Sequence, residues 1–139
     1  MIYVDTNVFI DRSDKSSAHY AEAKKFIDKA LTTTLLITTS TETIQEIIYY
    51  GYKMKKMNDV VKICYLIVDE LNDLLSVDVL TIREYLKFVH KYPRVDSRDL
   101  IHLAACLANN IGTIITFDRD FKKFKEVRAL TPGEYLKLV

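Results

Sequence analysis

Short continuous apolar runs alternate along the chain with longer stretches of helical spacing. Ile2-Tyr3-Val4 is a three-residue apolar run and reads as a buried strand. From Ser17 to Leu31, the positions Tyr20, Ala23, Phe26, Ile27, Ala30 and Leu31 share one helical face. Leu35 to Thr38 reads as a second strand. Thr39, with Glu42 three residues on, has the pattern of a capping box. A helix is predicted to open there and to carry Ile44, Ile47 and Ile48 toward Met57. A further helix is predicted from Asn58 to about Asn72, a strand over Leu74–Val79 and a helix over Ile82–Lys91. Pro93 interrupts the pattern, and Asp96 offers an N-cap for a helix through Leu100, Leu103 and Leu107 that ends near Asn110 and Gly112. Thr113–Phe117 reads as a β-branched strand and Val127–Ala129 as a shorter one. Thr131-Pro132-Gly133-Glu134 combines an N-cap, a first-turn Pro and a capping-box Glu, which predicts a closing helix. Strands alternating with helices predict an α/β fold: one domain over residues 1–139, a parallel sheet with helices on both faces in an α/β/α sandwich.

Composition narrows the class. The chain has 139 residues, enough for one domain with a real core, and its 49% apolar content excludes intrinsic disorder. A net charge of +1 excludes a strongly basic, nucleic-acid-wrapping chain. The opening Met1-Ile2-Tyr3-Val4-Asp5 has neither the basic region nor the long apolar region of a signal peptide. No apolar run approaches the roughly 20 residues of a membrane helix, so a cytoplasmic protein with no membrane contact is expected. Cys64 and Cys106 are far apart and without a C-x-x-C partner, as expected of two reduced, buried thiols.

In a parallel α/β sheet, ligands bind beyond the carboxyl ends of the strands. Asp5 follows the first strand, Asp118 follows the Ile114–Phe117 run, and Asp120 is two residues further. Asp99 lies in the first turn of its helix, and Glu46 lies one helical turn beyond Glu42. Each has a plain structural reading as a cap, turn or solvated residue. Together they bring several carboxylates to one sheet edge. Like charges about 4 Å apart repel by roughly 4 kcal/mol at an effective dielectric near 20, so such a cluster calls for a cation. Oxygen-only donors suit Mg²⁺ or Mn²⁺, and those ions support attack of water on a phosphodiester. His102, three residues after Asp99, reads as a packed or capping histidine that can touch this site. There is no Gly-rich phosphate loop and no G-x-S-x-G.

These segments resemble the PIN-domain family. Ile2 to Ile10, with its Asp5-Thr6-Asn7, resembles the family's opening; Glu46 to Gly51 its second acidic segment; Arg98 to Ala108 its third; and Ile114 to Phe121 its fourth. They occur in the family's order over nearly the whole chain, and the overall size is most similar to the VapC type, the toxin half of toxin–antitoxin pairs. The resemblance implies a Mg²⁺- or Mn²⁺-dependent endoribonuclease with an RNA substrate, a cognate antitoxin and a homodimer. It implies catalytic and metal-holding roles for Asp5, Glu46, Asp99 and Asp118. Asp120 would assist the metal, and Thr6, Asn7 and Thr116 would hold the carboxylates in place. Glu46 is preferred to Glu42 because Glu42 has the capping role. A PIN-type RNA-processing nuclease outside a toxin system is the alternative within the same resemblance, and two other classes stand beside it. A phosphotransferase with an aspartyl nucleophile at Asp5, as in haloacid-dehalogenase-like phosphatases, wants an acid where Asn7 stands. A PIN-like module that only binds RNA or protein leaves the repelling acids without a purpose.

Arg12, Lys122, Lys123 and Lys125 are candidate RNA contacts near the acids in sequence. Tyr49 to Met57 interleaves aromatics with positive charge. It reads as the solvated end of an amphipathic helix with Tyr packed inward, as a surface for stacking and phosphate contact, or as a dimer or antitoxin contact. Without the four site acids, nineteen acids become fifteen against twenty bases, or +5. The neutral total thus divides into an acidic pocket and a mildly basic remainder.

Overall fold

A computed structural model of the chain describes residues 1–71 and 73–139. Four strands form one all-parallel sheet: β1 (Ile2–Val4), β2 (Ile37–Thr38), β3 (Thr113–Ile115) and β4 (Arg128–Leu130), in the order β2-β1-β3-β4. Tyr3 pairs with Thr38 on one side and Ile114 on the other, so β1 is central. Seven α-helices surround the sheet among the described residues: α1 (Thr6–Ser13), α2 (Tyr20–Thr32), α3 (Thr41–Met54), α4 (Met57–Glu70), α5 (Val79–Lys91), α6 (Ser97–Ala108) and α7 (Pro132–Leu136). None of them is long and apolar enough to cross a membrane.

Strand alternation divides the interior into two cores. Ile2, Val4, Ile37 and Ile115 face one side and pack with Phe9, Phe26, Ile27, Ile47, Ile63 and Ile67 from α1 to α4. Tyr3, Ile114 and Ala129 face the other side and pack with Phe88 of α5 and Leu100, Leu103 and Cys106 of α6. Both faces are therefore covered, in the predicted α/β/α arrangement. Cys64 and Cys106 are free and buried.

Several boundaries differ from the sequence reading, each for a local reason. Helix α1 was not predicted; Asp5 caps it, accepting from Thr6 N at 2.8 Å, so the chain turns into a helix directly after β1. The predicted Thr39 capping box does not form. Ser40 is the N-cap of α3, while Thr39 is fully buried and donates through its hydroxyl to the Val4 carbonyl at 2.8 Å. A buried hydroxyl must be satisfied, and here the end of β1 supplies the acceptor. The predicted strand over Leu74–Val79 is reduced to one bridge between Ser40 and Leu75. Asp78 caps α5 through Thr81 N and so starts that helix before Ile82. The predicted helix start at Ser17 moves to Tyr20, and the predicted end near Asn72 lies outside the described residues. Strand β3 ends at Ile115: Thr116 N makes the last ladder bond to β4, to the Leu130 carbonyl at 2.9 Å, and the chain then turns, Asp118 N donating to Thr116 Oγ1 at 3.0 Å. The Asp96 cap of α6 and the Thr131–Glu134 capping box of α7 form as predicted.

Helices α3 and α4 meet at Gly51. A Cβ there would lie 2.3 Å from Val60 Cγ2 and 3.3 Å from Met57 Cα. Helix propensity favours Ala over Gly by about 1 kcal/mol, but overpacking against a neighbouring backbone costs about 1–3 kcal/mol. Gly51→Ala is expected to lower the unfolding free energy in a urea titration, and Val60→Ala in the same chain to restore part of the loss.

Candidate active site

The site forms where β1 and β3 end. Asp5 directly follows β1, is 5% exposed, and continues the sheet by donating its N–H to the Ile115 carbonyl at 2.9 Å. Its carboxylate is held on both oxygens. Oδ1 accepts from Thr6 N, and Oδ2 accepts from Asn7 Nδ2 at 3.0 Å and from Thr116 Oγ1 at 2.7 Å. Asn7 is fixed in turn: its amide also donates to Thr116 Oγ1 at 3.2 Å, and its Oδ1 accepts from Phe117 N at 3.1 Å. Thr116 accepts from Asp118 N at 3.0 Å. This network ties the start of α1 to the loop after β3. Burial raises the Asp5 pKa above its ordinary value; the His102 ring and the Thr116 hydroxyl oppose that rise.

His102, read from the sequence as a packed or capping histidine able to touch the site, has partners there that the sequence did not reveal. It lies on α6, is 1% exposed, and stands between two acids. Its Nε2 is 2.5 Å from Glu46 Oε1 and 3.6 Å from Asp5 Oδ1. Its Nδ1 is 2.5 Å from the Tyr3 hydroxyl, which donates to Ser40 Oγ at 2.8 Å. With the tyrosine hydrogen committed to Ser40, the ring donates through both nitrogens, as an imidazolium does. Burial lowers its pKa, but Tyr3, the bond to Glu46 and the Asp5 charge outweigh burial and hold it well above the ordinary value. The only sequence signal for this role was the spacing of three from Asp99, which puts both on one face of α6.

Glu46 is thus bound into the site by His102. Glu42 has no capping bond, so the distinction between the two acids rests on His102 rather than on a cap. Asp99, half-buried in the first turn of α6, has its pKa pushed up to about 7, first by desolvation, then by the charges of Asp5, Asp118 and Asp96. Asp118 follows β3 and caps a short 3₁₀ turn, Arg119–Lys123, accepting from Asp120 N at 2.9 Å. Thr6 faces the same region, its hydroxyl 3.3 Å from Thr43 Oγ1 and 3.5 Å from His102 Nε2.

The remaining candidates are placed differently. Asp120 is exposed and pairs with Lys123 at 3.4 Å. Lys122 pairs with Glu134 at 3.2 Å, and Arg12 is bound to Asp28 of α2 at 3.0 Å. Lys125 is exposed in the loop before β4, its backbone N–H directed to the Tyr92 hydroxyl at 3.4 Å.

Among the described residues, no Lys or Arg pairs with Asp5, Glu46, Asp99 or Asp118. His102 is their one cationic neighbour at ion-pair distance. Nor do any three His, Cys, Asp or Glu side chains stand in ready-made coordination. The donor set is all oxygen, half open to solvent, and in excess negative charge. That fits a hydrated Mg²⁺, which keeps several waters and takes only one or two carboxylates.

The PIN domain family profile matches residues 2–127. Ribonuclease VapC23 of Mycobacterium tuberculosis is 29% identical over 118 residues, covering 85% of this chain and 93% of its own. Ribonuclease VapC13 of the same organism is 22% identical over 130 residues, covering 94% and 99%. Among solved structures, M. tuberculosis VapC20, described as a sarcin-ricin loop cleaving toxin, superposes with a TM-score of 0.75 at 20% identity, over 92% of this chain and 99% of that one. VapBC2 from Rickettsia felis, bound to a DNA fragment from its promoter, gives 0.73 at 18% identity, over 94% and 98%. The match runs from the first strand almost to β4 and takes in all four acidic segments: the chain belongs to the PIN domain family.

Proposed function

We propose that this chain is a Mg²⁺- or Mn²⁺-dependent endoribonuclease that hydrolyses RNA phosphodiester bonds with activated water, and that it is the toxin of a toxin–antitoxin pair. One observation carries the reading: a buried, fully oriented Asp5 and a half-buried Asp99 pushed up to about 7 partly by the Asp5 charge, with no Lys or Arg among the described residues paired to either. A folded chain that keeps such repulsion is built to receive a cation. Relatives named VapC ribonucleases support the RNA substrate, and structural neighbours that are VapBC complexes support an antitoxin partner. A homodimer and a cytoplasmic setting complete the proposal; exposed Val79, Leu80 and Leu86 give α5 an apolar face for a second copy.

The residues divide the work. Asp5, Glu46, Asp99 and Asp118 would hold the ion, one or two of them directly and the others through its waters, with Asp120 available at the rim. Bound Mg²⁺ would offset their charge and acidify water for in-line attack on phosphorus. Asn7 and Thr116 fix the Asp5 carboxylate so that it does not rotate away from the ion. His102 holds Glu46 through Nε2 and directs it inward, while Tyr3, itself bonded to Ser40, anchors the other ring nitrogen. Asn7, standing where an aspartyl-nucleophile phosphatase wants an acid, spends its amide on Asp5, Thr116 and Phe117 N and offers no carboxylate, which speaks against that alternative.

RNA cleavage is expected in Mg²⁺ or Mn²⁺ and to cease in EDTA; cleavage without metal contradicts the mechanism. Asp5→Asn and Asp99→Asn are each expected to lower the cleavage rate at least about 100-fold while circular dichroism stays native. A second expectation concerns pH. The folded Asp99 pKa of about 7 lies above its ordinary 3.8, so the folded state binds the extra proton between these values. Stability of the metal-free protein therefore falls as pH rises through that window. In EDTA, Asp99→Asn should melt several degrees above wild type at pH 8 and at nearly the same temperature at pH 4. A gap independent of pH contradicts this account of Asp99.

A further inference from the structure

An open cavity of about 540 Å³ lies beside the acids, lined by residues of α1, α3 and α6. It shares Thr6 and Glu46 with the acidic site. Gln45, Tyr49 and Lys53 line it from α3, and Arg98 from α6. The tyrosines of α3 do not all pack inward. Tyr50 packs against the core, but Tyr49 is 57% exposed and Tyr52 76%. Of these two exposed rings only Tyr49 borders the cavity.

The lining has the parts that one nucleotide needs. Pockets of roughly 300–1,000 Å³ suit ligands of that size. The Tyr49 ring offers a face on which any base stacks, and the Gln45 amide offers both a donor and an acceptor to a base edge. Lys53 forms no ion pair among the described residues, and the exposed Arg98 pairs with its neighbour Asp96 at 3.1 Å. The unpaired Lys53 and the Arg98 guanidinium beside the cavity suit phosphates. Glu42 and Glu46 also line the cavity, which excludes a phosphate from its interior and favours a base there.

The geometry points to this cavity as the subsite for one unpaired nucleoside adjoining the scissile phosphate, its base on Tyr49 and its flanking phosphates near Lys53 and Arg98. This rests on the ribonuclease reading and deepens it, because a strand that crosses the acids at Glu46 continues directly into the cavity. A protein segment in the same place is the competing occupant.

The test is fluorescence anisotropy of a labelled, mixed-sequence single-stranded RNA of about 12 nucleotides, with Mg²⁺, on the Asp99→Asn background. Tyr49→Ala is expected to weaken binding at least about fivefold, the effect of losing one stacked base. Tyr49→Phe, which keeps the ring face, and Tyr52→Ala, outside the cavity, are each expected to change it by less than about twofold. Unchanged affinity in Tyr49→Ala overturns the subsite. So does an equal loss in Tyr49→Ala and Tyr52→Ala, which marks a general aromatic surface of the kind a protein partner covers. Failure of the wild-type chain to cleave RNA in Mg²⁺ contradicts the ribonuclease reading instead, and the binding comparison then decides the subsite alone.

Discussion

The whole arrangement turns on a carboxylate buried at the end of the central strand. Asp5 is 5% exposed. Removing a charge from water costs several kcal/mol unless hydrogen bonds and opposite charge replace the lost solvation. The protein supplies both. Thr6, Asn7 and Thr116 donate to the two oxygens, and His102 stands 3.6 Å away. The donors come from the start of α1 and the end of β3, and the facing charge from the middle of α6. The contacts that replace the lost water therefore tie together three parts of the chain distant in sequence.

The sheet makes this possible through strand parity. Val4 points into one core and Tyr3 into the other, so β1 contributes to both before it delivers Asp5 to the edge. Tyr3 then reaches His102 from below, and Ser40 at the head of α3 completes the chain of bonds. Glu46 enters from α3 and meets the other nitrogen of the ring. Asp99 and Asp118 make no bond to the ring, and desolvation, then the charges of Asp5 and Asp118, raise the Asp99 pKa. The site is balanced on one side by His102 and unbalanced on the other, and the proposed cation would sit on the unbalanced side.

Much of this was legible from local chemistry. Apolar runs marked β1 and β3, and Asp96, Thr131 and Glu134 marked the ends of α6 and α7, because caps are decided within a few residues. The acids stood out because polar residues directly after strand runs fall at the ligand-binding edge of such a sheet. What was not legible depends on distant partners. Thr39 looked like a cap until the Val4 carbonyl claimed its hydroxyl, and Leu74–Val79 looked like a strand although only Leu75 finds a bridge. Helix α1 was hidden because Asp5 serves as both strand end and N-cap. His102 looked like a packed histidine, which it is; its bonds to Tyr3 and Glu46 join residues 99 and 56 positions apart. Arg12 and Lys122 looked like cations near the acids, but Asp28 and Glu134 hold them.

The central claim is that Asp5, Glu46, Asp99 and Asp118 form a cation site whose geometry Asp5 sets. Titration of Mn²⁺ followed by electron paramagnetic resonance measures this directly, without dependence on substrate. Wild type is predicted to bind the ion, and Asp5→Asn to bind it at least about tenfold more weakly, since even residues that only orient metal ligands cost 10–100-fold when removed. Equal Mn²⁺ affinity in the two proteins would contradict the account.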